Sequence, residues 1–477
     1  MSSSLKNRTI HGIIWSSIEK FSVQGIQFVL QILMARILLP EDYGIIAMLA
    51  IFIAISQSFV DSGFSNALIR KVDRTETDYS TVFYFNIVVG LFFYFILFFT
   101  SPFIAGFYST PVLEPLTKVL GLSLFFNSLC VVQQARLTIN LNFKTQAVVS
   151  LLSVLTSGTL GLWMAYSSYG VWALAVQTVL QAALRMILFW GLAKWKPTRK
   201  FSKVSFKEMF GFGSKILASG LLDTIYKNIY TIIIGKCFSS TVLGYYSRAD
   251  QFAQFPSSNL TGIMQRVTFP VLSAIQNEDE RLRINYRKFL RLSAFIIFPL
   301  MIGLSALAAP FIELLLTDKW TGAIPLLQVI CVAYMWYPIH AINLNLLQVK
   351  GRSDLFLKLD IIKKISSTVI LFITVPIGVL AVCYGSIAIS VIALVINTYY
   401  TGKLIKIGFL TQMRDILPII ASCIMMFFLI TITISFFEHC LVKLIVGIVI
   451  GAMSYLSVAY FFRSSELDEI LSIIKRK

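Results

Sequence analysis

Charged residues are scarce in this chain: Asp, Glu, Lys and Arg make up only 13% of its 477 residues. A typical soluble domain is about 25% charged and about 45–50% apolar. Here 57% of the residues are hydrophobic, and the mean hydropathy is +0.79. Between the apolar runs, no hydrophilic stretch is long enough to fold as a soluble catalytic domain. The composition therefore predicts a polytopic membrane protein that is not an enzyme.

Reactive residue types are also few. The six cysteines are scattered without a C-x-x-C pair, and the three histidines lie far apart in the sequence. This spacing excludes a disulfide framework and a metal centre built from these residues. The sequence contains no Walker A motif either, so we expect no built-in ATPase, no cofactor and no metal.

Long apolar runs recur along the whole chain. Each is about 20 residues long, which is enough to cross a bilayer as a helix. None alternates apolar and polar residues as the strands of a membrane barrel do. We therefore predict an all-α integral membrane protein with fourteen transmembrane helices. Their predicted bounds are 10–34, 43–68, 79–101, 112–136, 145–167, 169–192, 209–235, 243–270, 289–311, 322–348, 360–382, 384–405, 413–436 and 441–462.

The basic residues fall mainly on one side of this predicted topology. Lys and Arg number 41 against 23 Asp and Glu, giving a net charge of +18. Most of them lie at the two termini and in the loops that follow an even-numbered helix. Cytoplasmic loops carry an excess of Lys and Arg, so we expect both termini in the cytoplasm. An odd number of helices would reverse the later loops and destroy this pattern.

Two stretches of the sequence resemble each other at an offset of 200 residues. ILMARILLPEDYGI (32–45) matches IIIGKCFSSTVLGY (232–245), so that Gly44 pairs with Gly244. We interpret helices 1–6 and 7–12 as two parallel six-helix repeats, with two further helices at the C-terminus. The predicted parts are an N-terminal lobe (1–192), a basic cytoplasmic linker (193–208), a C-terminal lobe (209–405), and helices 13–14 with a cytoplasmic tail (406–477).

Polar residues form stripes on predicted helices 1, 7 and 8, at spacings that place them on one helical face. Ionisable residues inside a membrane are costly and normally face a bundle interior or a water-filled cavity. We therefore predict a central cavity whose basic residues bind an anionic group such as a phosphate or diphosphate. The predicted substrate-facing residues are Lys20, Gln24, Gln27, Gln31, Lys215, Lys227, Arg248, Asn259 and Arg266. Four carboxylates are candidates for binding a coupling ion: Glu19, Asp61, Asp223 and Asp250.

Structural explanations of the same residues remain open at this point. Asp223 and Lys227 are spaced as an i, i+4 ion pair. Lys20 and Arg266 could extend to a membrane interface, and we interpret Arg185 as an interfacial anchor. Gln and Ser faces could also hold helices together. His340 is interpreted as a packed polar residue rather than a base.

The segment ARILLPEDYGIIAM (35–48) resembles the polysaccharide-exporter, or Wzx-type flippase, branch of the multidrug/oligosaccharidyl-lipid/polysaccharide superfamily. VLGYYSRADQF (242–252) and GRSD (351–354) are similar to patterns of that branch as well. The resemblance covers nearly the whole chain and is strongest to exporters of the lipopolysaccharide or colanic-acid biosynthesis type.

This resemblance implies a multi-pass protein of the bacterial inner membrane, with two six-helix lobes around a central cavity. It implies flipping of undecaprenyl-diphosphate-linked oligosaccharide by alternating access, coupled to a gradient of H⁺ or Na⁺ or to the membrane potential. The implied partners are the lipid-linked oligosaccharide, membrane lipids, and polysaccharide polymerase and chain-length proteins, but no nucleic acid. A multidrug cation antiporter and a lipid II flippase of the same superfamily are the alternatives, and a membrane-embedded enzyme is a third from another class.

Overall fold

The computed structural model describes residues 3–61 and 63–462, together with residues 464, 466–469 and 472. Within these residues it contains eighteen α-helices and one 3₁₀ helix, and no strand. The prediction of an all-α membrane protein is thereby confirmed. Contacts along the chain divide it into two compact units, residues 1–244 and 245–477. The four predicted parts, with bounds at 192, 208 and 405, stay a prediction.

The first unit is built from nine helices within the described residues. They are α1 (Ser3–Ile37), α2 (Pro40–Asp61), α3 (Phe64–Arg70), α4 (Glu76–Tyr108), α5 (Leu113–Ser128), α6 (Val131–Ile139), α7 (Phe143–Tyr166), α8 (Val171–Ala193) and α9 (Lys203–Cys237). Helix α7 packs between α1 and α8, and α5 packs on α4 and α8. Helix α2 contacts α4, α5 and α9.

The second unit contains the rest of the helices. They are α10 (Ser240–Ala274, whose first turn belongs to the first unit), α11 (Asp279–Ala306), α12 (Ala308–Leu316), the 3₁₀ helix (Asp318–Ala323), α13 (Ile324–Tyr334), α14 (Tyr337–Val349), α15 (Ser353–Thr374), α16 (Val379–Ile405), α17 (Phe409–Ser435) and α18 (Cys440–Phe461). Helix α11 packs on α13, α14 and α17, and α17 packs on α18.

Ten helical segments within the described residues are long and apolar enough to cross a membrane. They are Pro40–Arg70, Glu76–Tyr108, Leu113–Ile139, Phe143–Tyr166, Val171–Ala193, Asp279–Ala306, Asp318–Val349, Val379–Ile405, Phe409–Ser435 and Cys440–Phe461. The other four predicted spans coincide with α1, α9, α10 and α15. These helices have 35, 35, 35 and 22 residues, so they are long enough to span but are more polar. Three of them carry the predicted polar stripes.

Two predicted helices differ most from the structure, each at one end. The helix predicted at 289–311 begins at Asp279, because its charged first turns are amphipathic and form surface ion pairs such as Arg281–Glu278. The helix predicted at 360–382 is wrong at its C-terminal end. It stops at Thr374 because Pro376 lacks a backbone donor and Gly378 has a φ of 139°.

The connection between α8 and α9 lies along the first turns of α4. The Trp195 indole Nε1 donates to Glu76 Oε2 at 2.7 Å, and the Thr198 and Ser202 amides donate to hydroxyls of α4. Lys71 pairs with Glu208 at the start of α9, and this hydrogen bond raises the pKa of Lys71. These contacts hold the predicted basic linker against α4, while its lysines are exposed.

The first turns of α2 and α10 approach each other at backbone distance. A Cβ on Gly44 would overlap the carbonyl oxygen of Ser240, and a Cβ on Gly244 would overlap that of Pro40. The two contacts are reciprocal, and their four positions are related by the 200-residue offset seen in the sequence. Only glycine fits at such a crossing. This geometry supports the interpretation of an internal repeat.

We predict that Gly44→Ala and Gly244→Ala each lower the thermal unfolding midpoint of the detergent-purified protein, by an amount equivalent to about 1–3 kcal/mol of overpacking. Gly220→Ala is the matched control, since a Cβ there meets nothing within 4 Å. Unfolding midpoints in which the two variants match this control would show that the close crossing does not exist.

Candidate functional site

The predicted stripe on α1 lies beside α7. Glu19 Oε1 accepts a hydrogen bond from Ser150 Oγ of α7 at 2.8 Å, which ties this carboxylate to a neighbouring helix. Lys20 is exposed, and Gln24, Gln27 and Gln31 are half-buried along the same helix. The α1 stripe therefore combines one internally bonded carboxylate with an open cation.

The stripe on α9 is open as well. Lys227 Nζ lies 3.4 Å from Asp223 Oδ2, and the two side chains are 76% and 56% exposed. The ion pair that the spacing suggested is therefore present, and it sits on an open face. Lys215 is exposed on the same helix. The hydroxyls of Ser58 on α2 and Thr224 on α9 are 3.2 Å apart, which fixes the position of α9 against α2.

Asp61 lies in a cavity of about 640 Å³ within the first unit. Gln57 Nε2 donates to Asp61 Oδ1 at 2.9 Å, and Asn127 Nδ2 donates to Gln57 Oε1 at 3.0 Å. We call this space the α2–α5–α8 cavity, after the helices that contribute most of its walls. Its polar lining also includes Ser123, Gln134, Thr178, Gln181 and Arg185.

The predicted residues of α10 lie in the second unit. Arg248 Nη1 donates to Gln251 Oε1 at 2.6 Å, and Asn259 Nδ2 donates to the carbonyl of Phe255, whereas Arg266 is exposed. Asp250 Oδ1 accepts a hydrogen bond from the Tyr334 hydroxyl at 3.0 Å. No ion pair to Asp250 is found within the described residues of the chain. The carboxyl group is thus held by a neutral donor.

His340 is part of a hydrogen-bonded network that includes buried amides. Its Nε2 lies 3.1 Å from Ser390 Oγ and its Nδ1 lies 3.4 Å from Asn397 Nδ2. This packing agrees with its interpretation as a packed polar residue. No group of three His, Cys, Asp or Glu in the described part of the chain could hold a metal ion.

The sequence reasoning missed most of the α2–α5–α8 cavity. Gln57, Asn127, Gln134 and Gln181 were not selected, and Arg185 was assigned to the membrane interface although it lines the cavity. The i, i+4 pairs Gln57–Asp61 and Gln181–Arg185 were the available signal. Each lies within a predicted apolar helix, where two polar residues one turn apart are unexpected.

The fold and these polar sites define a multi-pass, all-α membrane transport protein. The chain belongs to the polysaccharide biosynthesis protein family, whose model matches residues 33–325. The resemblance to polysaccharide exporters seen at residues 35–48 is thereby confirmed.

Two curated relatives have names that agree with this family. The chain is 28% identical to the teichuronic acid biosynthesis protein TuaB of Bacillus subtilis (strain 168) over 461 residues, which is 95% of each chain. It is 27% identical to the lipopolysaccharide biosynthesis protein WzxC of Escherichia coli (strain K12) over 366 residues, covering 76% of this chain and 74% of that one.

A solved structure of the lipid II flippase MurJ, in an inward closed conformation, has a similar fold. The comparison has a TM-score of 0.76 and covers 94% of this chain and 99% of that chain. Because the sequences are only 17% identical, it establishes the fold and carries no conclusion about the substrate.

The Asp250–Tyr334 contact leads to a stability prediction. Tyr334→Phe leaves the half-buried Asp250 carboxyl group without this donor, so we expect a loss of about 1–3 kcal/mol in the free energy of unfolding. Tyr337→Phe is the control, because Tyr337 is 44% exposed. Thermal unfolding in detergent measures both. If both variants melt at the same temperature, the hydrogen bond to Asp250 contributes nothing.

Proposed function

We propose that this protein is a flippase for undecaprenyl-diphosphate-linked oligosaccharide in a bacterial inner membrane, with both termini in the cytoplasm. Its family and the names of its relatives support a role in surface polysaccharide biosynthesis. The observation that carries the proposal is the presence of open cations on long helices of a membrane protein. Lys20, Lys215, Lys227 and Arg266 are all exposed on such helices.

A cation exposed to hydrocarbon costs several kcal/mol, so these side chains require water or an anionic ligand. Lys227 is paired with Asp223 and remains largely open. Charge-assisted hydrogen bonds to phosphate oxygens are the strong interactions that Lys and Arg form. A diphosphate headgroup fits this requirement, and a cationic drug does not.

The proposed architecture contains fourteen spans, in two parallel six-helix lobes around a central aqueous cavity, plus α17 and α18. The ten apolar spans and the four longer polar helices together account for this number. In this arrangement the polar stripes line the cavity, the prenyl tail stays in lipid, and the lobes rock to expose the headgroup on alternate sides.

Of the four candidate carboxylates, Asp250 is the one we propose to bind the coupling ion. Asp223 is paired with Lys227, Glu19 accepts from Ser150, and Asp61 accepts from Gln57. Among the residues that the structure describes, Asp250 accepts a hydrogen bond from the Tyr334 hydroxyl and forms no ion pair. A carboxyl group without an ion pair can gain or lose a proton, or exchange it for Na⁺, without breaking one. Asp223 does not meet this condition, whereas Glu19 and Asp61 do, so these two are the carboxylates to which coupling passes if Asp250 fails its test.

The first experiment is deletion of the gene in the source strain, followed by extraction of lipid-linked oligosaccharides and staining of surface glycan. We expect loss of one surface polysaccharide and retention of its undecaprenyl-diphosphate precursor on the cytoplasmic side. Unchanged glycans with altered sensitivity to cationic dyes would replace the proposal with a drug antiporter. Loss of viability with trapped lipid II would replace it with a lipid II flippase.

In the complemented deletion strain, Lys227→Ala is expected to reduce surface glycan about 10- to 100-fold at normal membrane abundance. This is the loss expected for one charge-assisted contact of about 1.5–3 kcal/mol. Lys227→Arg retains the charge and should keep part of the activity. Lys358→Ala, at an exposed lysine outside the stripes, is the control. Normal surface glycan in Lys227→Ala would remove this residue from the substrate site.

Asp250→Asn keeps the acceptor for Tyr334 but cannot carry a proton. In proteoliposomes, we expect the wild-type rate to rise about tenfold under an imposed H⁺ or Na⁺ gradient, whereas the Asp250→Asn rate is independent of the gradient. Asp73→Asn, in an exposed loop, is the control. Gradient-dependent transport by Asp250→Asn would assign coupling to another carboxylate.

A further inference from the structure

The α2–α5–α8 cavity differs in charge from the polar stripes. Its charged lining within the described residues consists of one carboxylate, Asp61, and one guanidinium, Arg185. A diphosphate carries at least two negative charges and needs an excess of cations, which this cavity lacks. Its volume of about 640 Å³ nevertheless falls within the range of about 300–1,000 Å³ that is usual for ligand sites.

The neutral polar groups of the cavity are arranged in a fixed chain. Asn127 donates to Gln57, and Gln57 donates to Asp61, so that three side chains from two helices orient one another. This chain uses one carboxylate oxygen and one amide oxygen as acceptors. The second oxygen of Asp61 and the side-chain oxygen of Asn127 remain available to a ligand.

Other polar groups of the same cavity have no hydrogen-bond partner among the described residues. The side chains of Gln134, which is exposed, and Gln181, which is half-buried, both line the cavity and are available to a ligand. Within the same described residues, the Arg185 Nε atom is buried without a hydrogen-bond partner. Leaving this buried nitrogen unsatisfied costs about 1–3 kcal/mol, which a ligand or water can recover.

These groups match the chemistry of sugar hydroxyls. A hydroxyl both donates and accepts, so a row of hydroxyls pairs with amides that offer an oxygen and an NH₂ group side by side. The remaining walls are apolar, with Leu49 and Ile53 among them, and can cover the C–H faces of a sugar ring. The lining is thus directional and electroneutral.

We propose that the α2–α5–α8 cavity is a glycan subsite that binds hydroxyl groups of the oligosaccharide, separate from the cations that bind the diphosphate. This assignment rests on the proposed flippase function and adds a determinant of sugar recognition to it. Gln57, Asn127 and Gln181 provide the recognition, and Asp61 positions Gln57.

The test compares two ligands that differ only in their sugars. Lipid-linked oligosaccharide extracted from the source strain and undecaprenyl diphosphate are titrated into the detergent-purified full-length protein. The ratio of the two dissociation constants reports the contribution of the sugars alone. We expect the wild-type protein to bind the sugar-bearing ligand more tightly.

Asn127→Leu and Gln181→Leu are each expected to reduce this preference about 3- to 10-fold, the effect of one neutral hydrogen bond, with undecaprenyl diphosphate binding unchanged. Gln348→Leu removes an exposed amide outside the cavity and is the matched control. Lys227→Ala should weaken both ligands equally. Thermal unfolding midpoints establish that each variant is folded, and the two cavity variants are independent of each other.

The outcomes separate the two proposals. If both cavity variants retain the wild-type preference for the sugar-bearing ligand, the glycan subsite is wrong and the flippase proposal stands. If the cavity variants lose undecaprenyl diphosphate binding to the same extent, the cavity binds the diphosphate instead. If the wild-type protein binds neither ligand, the flippase proposal itself fails and the subsite fails with it.

Discussion

The absence of hydrogen-bonding partners in hydrocarbon is the constraint on which this structure depends. Every polar group on a membrane helix must be satisfied by the protein, by trapped water or by a ligand. Many hydroxyls satisfy themselves locally: Thr117 and Thr398 each donate to the carbonyl four residues earlier. Because these hydroxyls are already bonded within their own helix, they can lie in the membrane at little cost. Their presence therefore gives no information about function. An amide can bond one N–H in the same way, as Asn259 does to the carbonyl of Phe255, but its second N–H and its oxygen still need partners. The partners of amides and charges therefore help to distinguish structure from function.

The second unit shows polar groups satisfied by one another. Asn343 and Gln412 exchange two hydrogen bonds, at 3.0 and 3.1 Å, and Thr401 donates to Asn343 at 2.7 Å. Asn343, Thr401 and Gln412 are buried, on α14, α16 and α17. A network in which these donors and acceptors are paired rigidifies the bundle. The α2–α5–α8 cavity is the opposite case, because two glutamine side chains and one guanidinium nitrogen have no hydrogen-bond partner there within the described part of the chain. Among the described residues, unpaired polar groups in an open cavity distinguish a ligand site from a structural contact.

The helices and the polar stripes could be predicted because each leaves a regular pattern in the sequence, a long apolar run or a helical spacing of polar residues. Apolar runs predicted the spans, and i, i+4 spacing predicted the shared face of Asp223 and Lys227, which form the expected ion pair. Helix ends were predicted less well where charged turns continue a helix into water, as at Asp279. The α2–α5–α8 cavity could not be predicted, because α2, α5 and α8 each contribute only one or two of its amides and charges. The meeting of these three helices at one cavity leaves no spacing pattern within any single segment of the sequence. Arg185 lies near a helix end, so its sequence pattern is that of an interfacial anchor.

The substrate that we propose has two chemically different parts, a diphosphate and an oligosaccharide. The polar groups of this chain also fall into two sets, the open cations and the amides of the cavity. A diphosphate requires point charges, and the open lysines of α1 and α9 supply them without a dense set of hydrogen bonds. An oligosaccharide carries many hydroxyls and requires directional neutral groups, which the α2–α5–α8 cavity supplies without excess charge. A single site could not serve both well, because strongly hydrated cations would compete with sugar hydroxyls for the same amides.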